Sequence, residues 1–185
     1  NKSRGLPTVK NGGHSQLAVI GGGHSILDKI DELRDFDGDR WIVAGAYYWC
    51  EENEIDGQFF NIDPQALVAD LCRGVENAIL ATCSHPSVFD ALEGKNIQTF
   101  DLISEGEMIN HGSSAVTAIP VLSVQCDYRE VVFYGCDSCY KRGGTTHAYE
   151  DVPDKYGMVI ECNGETFYTS PQLLLQAEYL STMIR

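Results

Sequence analysis

The sequence predicts an α/β domain: a Rossmann-like, mostly parallel sheet with helices on both faces, plus a C-terminal β-hairpin and a closing helix. Three observations predict it. Short apolar runs without polar alternation, such as residues 17–20 and 131–134, have the pattern of strands buried on both faces. Stretches with helical spacing separate those runs. Near the end, Asn163-Gly164 stands between two β-type runs, a strong hairpin signal. At 185 residues the chain suits one such domain, read here as residues 16–185 behind a Gly- and Lys-rich arm, residues 1–15, expected to be mobile.

The elements follow in order. Residues 17–20 form the first strand, ending in Gly21-Gly22-Gly23, and Ile26, Leu27, Ile30 and Leu33 then lie on one helical stripe. Residues 41–44 and 58–62 read as strands, and Pro64 suits the opening turn of a helix. A strand at 78–81, a short helix from Pro86 and a strand over 97–103 come next. Residues 112–124 read as a helix that Pro120 should kink or bound, and 130–134 as a buried strand. The last helix starts at Ser170-Pro171 and carries Leu173, Ala177, Leu180 and Ile184 at helical spacing.

Composition narrows the function. Lys and Arg total 13 against 27 Asp and Glu, a net charge of −14, which opposes nucleic acid as the main partner. No apolar run approaches the roughly 20 residues of a membrane span, and the opening stretch has no secretory h-region. Seven scattered cysteines, mostly within apolar runs, read as reduced core residues of a cytoplasmic protein. Any phosphorylated ligand must be attracted by local amides, a few basic residues or a metal ion, because the global field repels it.

Gly21-Gly22-Gly23-His24-Ser25 joins a strand to a helix. Its glycines allow close backbone approach, Ser25 with Asp28 resembles a capping box, and free N–H groups at the helix start would hold an anion. Asp63, ending the third strand, suits a magnesium ion, a ribose hydroxyl or a helix cap. Ser113 and Ser114 offer hydroxyls at a second helix start, for a ligand or for capping alone. Asp137 follows another strand, where ligands gather in such folds. Cys136 and Cys139 have zinc or dithiol spacing but no second ligand pair. Lys141 and Arg142, before Gly143-Gly144, suit a lid over phosphate, with His147 as acid, base or phosphate donor. Tyr47, Tyr48 and Trp49 suit ring stacking or, for at least two of them, core packing.

Taken in order, Val19-Ile20-Gly21-Gly22-Gly23-His24-Ser25-Ile26, Ile62-Asp63-Pro64, His111-Gly112-Ser113-Ser114-Ala115-Val116, Phe133-Tyr134-Gly135-Cys136-Asp137 and Thr146-His147-Ala148-Tyr149 resemble MptE-like proteins. These are the archaeal 6-hydroxymethylpterin diphosphokinases, and the same domain occurs in bacterial motility accessory factors. The resemblance extends over about residues 17–184 and includes the closing Thr169-Ser170-Pro171-Gln172-Leu173-Leu174-Leu175-Gln176-Ala177-Glu178-Tyr179. More remotely, the chain is similar to bacterial sialyltransferases that use a CMP-sugar. Gly23-His24-Ser25 stands where the first family usually has Gly-Pro-Ser, and residues 166–170 lack the catalytic His of the second.

The resemblance implies a magnesium- and ATP-dependent transferase that moves a diphosphoryl group to a small hydroxymethyl, pterin-like acceptor. It implies nucleotide phosphates on Gly21, Gly22, Gly23 and Ser25, further nucleotide contacts on Ser113 and Ser114, magnesium or nucleotide contacts on Asp63 and Asp137, and His147 near the transferred group. CMP-sugar glycosyl transfer and a non-catalytic nucleotide-binding domain are the alternatives.

Overall fold

The computed structural model describes residues 5–104, 107–108, 114–140, 145, 147–148 and 157–183. Its strands in chain order are β1 (Gln16–Ile20), β2 (Asp39–Val43), β3 (Gln58–Asn61), β4 (Asn77–Ala81), β5 (Asn96–Phe100), β6 (Ile103–Ser104), β7 (Glu107–Met108), β8 (Glu130–Tyr134), β9 (Met158–Cys162) and β10 (Glu165–Thr169). The α-helices are α1 (Ile30–Arg34), α2 (Tyr47–Glu52), α3 (Pro86–Ala91), α4 (Ala115–Gln125) and α5 (Pro171–Met183). Strands β5-β4-β3-β2-β1-β8 form one sheet in that order, every ladder parallel. Strands β9 and β10 pair antiparallel as the expected hairpin, with Asn163 and Gly164 both at positive φ (52° and 83°). Those two dihedrals match a primed turn, which follows the strand twist.

Each central strand feeds two cores because neighbouring side chains point to opposite faces. On one face Leu17 and Val19 join Trp41, Phe60 and Phe100 beneath Ala118, Ile119 and Leu122 of α4. The ring of Phe60 stacks between those of Trp41 and Phe100, with centroids 5.7 and 5.4 Å away. On the other face Ala18 and Ile20 pack with Ile26, Leu33 and Trp49, and Phe59 and Leu80 pack with Val68, Val88 and Leu92. Burying one such side chain is worth about 1.5–3 kcal/mol, so both faces stabilise the sheet.

Several local expectations are corrected. The segment after the glycine loop is a 3₁₀ turn, His24–Lys29, followed by the five-residue α1. Pro64 precedes a 3₁₀ segment, Ala66–Cys72, rather than opening an α-helix. The strand expected over residues 97–103 stops at Phe100. Helix α4 runs through Pro120 without a boundary, because Ile119 and Leu122 are buried on the sheet and outweigh one missing backbone bond. Residues 7–9 of the arm are tied down: Val9 N donates to Thr99 O and Thr99 N to Pro7 O, each at 2.8 Å, so this stretch covers the open edge of β5.

The strand order sets the site. From β1 the chain winds through β2 to β5 in one direction, then returns with β8 on the other side of β1. The crevice beyond the carboxyl ends of β1 and β8 is therefore the topological switch point.

Candidate functional site

Two loops meet at that switch point. Gly21 N donates to Tyr134 O (2.8 Å) and Gly23 N to Gly135 O (2.7 Å), extending the β1–β8 pairing past the strand ends. Ser25 donates twice to Asp137, from its amide to Oδ2 at 2.8 Å and from its hydroxyl to Oδ1. A Cβ on Gly21 would lie 2.5 Å from the Gly135 oxygen, and one on Gly23 2.7 Å from the Asp137 carboxylate. The glycines are thus required by loop-on-loop contact. This corrects the expected anion cradle: three of its amides are occupied within the protein, and Asp137 is itself the anion on Ser25. Ser25 makes no capping contact either, since Gly23 is the N-cap and has no side chain to offer.

Beside this junction lies a polar cleft of about 210 Å³. Gly21, Gly22 and Gly23 form part of its wall, with Ser114, Asp137, Ser138, His147 and Gln176. The amino end of α4 opens onto it. Ser114 and Thr117 form a reciprocal capping box there, and Thr117 N and Ala118 N bond back to Ser114. Ala115 N and Val116 N have no partner among the described residues, so the positive end of this 11-residue helix faces the cleft. Of the other expected ligand residues, Ser113, Lys141 and Arg142 lie outside the described residues.

A second, apolar lobe of about 510 Å³ adjoins the first, and Val43, Ser114 and Ala115 line both. Phe60, Ile62, Pro64, Leu67 and Leu71 supply its apolar wall, while Asn61 and Asp63 stand at the end of β3. Asn61 is buried and donates to Asp63 O and Ser84 Oγ, and its Oδ1 accepts from Asp63 N. Asp63 accepts from Gln65 N at 2.9 Å and Gln65 Nε2 at 3.3 Å. It therefore shapes a turn at the rim of the lobe.

Asp63 and Asp137 stand at the ends of β3 and β8, three ladder spacings apart, roughly 14 Å at ~4.8 Å per strand. One magnesium ion, with oxygen ligands at about 2 Å, cannot bridge them. Among the described residues no group of three His, Cys, Asp or Glu side chains is placed to hold a metal. The described carboxylates do not fit a shared magnesium site.

The remaining candidates resolve into packing. Trp49 is buried, Tyr47 packs edge-on against Phe59 at 5.6 Å, and Tyr48 Oη donates to Asp70 O. The Cys136 thiol turns inward toward the Tyr134 and Val19 carbonyls, and burial pushes it up to about 12. Both Cys136 and Cys139 are free thiols.

No family model, curated protein or solved structure matches the chain. Its site is therefore read from its own geometry.

That geometry adds residues the motifs do not single out. Gln176 is buried and donates to Ser138 Oγ at 3.0 Å, and Thr169 Oγ1 donates to Ser138 O at the same distance. Ser138 itself sits at φ 54°. This knot ties the β8 loop to the hairpin and α5. The signal in the sequence is Gln176 one position from Ala177 on the apolar stripe of the last helix, where an uncharged polar residue needs a partner.

Proposed function

We propose that the chain is a nucleotide-dependent transferase whose donor lies across both lobes, its base and ribose in the apolar lobe and its phosphates in the polar cleft. The observation that carries this reading is the shared wall of Val43, Ser114 and Ala115 between an apolar chamber and a cleft at the positive end of α4. Nucleotides have one apolar flat end and one anionic end, and a helix amino terminus attracts the latter despite a net charge of −14. Asp63, at the rim of the apolar lobe, suits a ribose hydroxyl.

In its finer form the reading is transfer of a diphosphoryl group from ATP to a small hydroxymethyl acceptor such as a pterin. The acceptor oxygen bonds the β-phosphorus while the bond from that phosphorus to the α–β bridging oxygen breaks. AMP leaves, and the acceptor proton passes to His147, which lines the polar cleft. Ser114 and the α4 amides stabilise the charge that develops on the phosphates. The carboxylates among the described residues form no shared magnesium site, so in this reading the ion enters with the nucleotide phosphates.

A second reading, transfer of a sugar from a CMP-sugar, is favoured by one observation: Asp137, which lines the polar cleft, accepts from Ser25 on both oxygens and has no second carboxylate beside it in that lining with which to hold a cation. Calorimetry separates the two readings. Binding of ATP that requires magnesium, with AMP formed on adding 6-hydroxymethyldihydropterin, supports the first. Binding of CMP without metal supports the second. Binding of nucleotide without turnover of either donor leaves a non-catalytic binding domain, and no binding at all rejects the proposal.

A further inference from the structure

We infer that His24 is a positioning residue, a latch that fastens Thr145, His147 and Ala148 to the glycine loop and so builds one wall of the polar cleft. The role of that wall toward a ligand rests on the nucleotide reading above; the latch itself does not.

The contacts are specific. His24 Nε2 lies 2.9 Å from Thr145 O and 3.1 Å from Thr145 Oγ1, across 121 positions of sequence. A carbonyl only accepts, so Nε2 carries the proton and donates to it. The Thr145 hydroxyl donates onward to His147 O at 3.0 Å, leaving its lone pairs to receive the His24 proton as a shared bond. Thr145 is only 7% exposed. Two residues before His24 on the same loop, Gly22 O accepts from Ala148 N at 2.8 Å. Thus Gly22 and His24 grip Ala148 and Thr145, on either side of the residue that lines the cleft, His147.

A further observation points the same way. His24 Nδ1 is buried and has no partner among the described residues. Burying an unpaired ring nitrogen is costly, so a histidine merely filling space would be replaced at no loss by an apolar ring. What a phenyl ring cannot supply is the Nε2 proton held on Thr145. The glycine loop, whose amides serve β8 and Asp137, therefore works as an anchor for the facing segment. It is not the principal anion holder.

The test compares His24→Phe, which keeps a ring and removes the donor, with His24→Gln, which returns an N–H at similar reach. Amide exchange is followed by mass spectrometry in the full chain without ligand, with β1 and β8 as internal controls. In His24→Phe, exchange at Thr145, His147 and Ala148 should quicken about tenfold while β1 and β8 hold, and His24→Gln should return it to within about threefold of wild type. Unchanged exchange in His24→Phe overturns the latch, as does an equal rise in β1 and β8. Failure of His24→Gln to rescue overturns the Nε2 donor as its cause. A parallel titration with ATP and magnesium, and with CMP, should show weaker binding in His24→Phe and recovery in His24→Gln. If wild type binds neither, the nucleotide reading falls while the exchange data still decide the latch.

Discussion

Ser25 holds Asp137 with both its amide and its hydroxyl, the amide at 2.8 Å. This contact joins residues 112 apart in sequence and explains why Gly23, between the two loops, carries no side chain. The charged acceptor makes both bonds stronger than neutral ones. Asp137→Ala should therefore lower stability by at least about 1.5 kcal/mol, since one hydrogen bond to a charged group is worth roughly 1.5–3 kcal/mol and Ser25 makes two. It should also free the Ser25 amide, so that added sulfate raises the melting temperature of the variant more than that of wild type. Equal responses to sulfate would mean that Asp137 does not act as the loop's internal anion.

The glycine positions give a graded series. A Cβ on Gly21 or Gly23 meets fixed backbone or the Asp137 carboxylate, and overpacking of this kind costs about 1–3 kcal/mol. Gly157, with nothing within 4 Å of its added Cβ, is the control and should tolerate alanine within about 0.5 kcal/mol. Urea denaturation of Gly21→Ala, Gly23→Ala and Gly157→Ala measures the difference. Three equal losses would contradict the interlocked loops.

Much of the fold is legible in the sequence because it rests on local signals. The runs at residues 17–20 and 130–134, the Asn163-Gly164 turn and the stripe of α5 each declare themselves within a few residues. The site is less legible because its defining contacts are distant. Nothing near Gly21-Gly22-Gly23 announces that its amides will pair with the loop after β8, or that His24 will reach Thr145. Pro7 and Val9 look like part of a polar arm, since pairing to β5 is a property of the finished sheet edge. Asp63 and Asp137 look alike as strand-end carboxylates, and only the strand order separates them.

Ser114→Ala should cost about 1 kcal/mol of stability, the usual value of a helix cap. It should also weaken nucleotide binding, because Ser114 lines both lobes. Thr117→Val removes the other half of the capping box from a fully buried position, so its effect should fall on stability. Melting curves and nucleotide titrations of both variants separate the roles. Unaltered nucleotide binding in Ser114→Ala would contradict phosphate at this helix end.

Alkaline pH should unfold the protein. Burial pushes the Cys50 thiol up to about 12 and those of Cys72 and Cys126 to about 11, and burial with the Glu32 hydrogen bond takes Tyr134 to about 12. The folded state thus holds these protons more tightly than the unfolded state does. Their contribution is complete below the unfolded values, near 9 for cysteine, and is lost as pH rises toward 11–12. Stability measured by urea titration should be flat in this contribution up to about pH 9 and decline above it. A rise in stability over that range would contradict the buried thiols.

The two-lobed nucleotide site is tested most directly by calorimetry on wild type and Val43→Trp, which places a large ring in the wall shared by both lobes. ATP with magnesium, AMP and CMP are titrated into each protein, with melting temperature as the check on folding. At least one nucleotide should bind wild type, and its affinity should fall about tenfold or more in a folded Val43→Trp. No binding of any of the three to wild type, or equal binding to both proteins, would contradict the account.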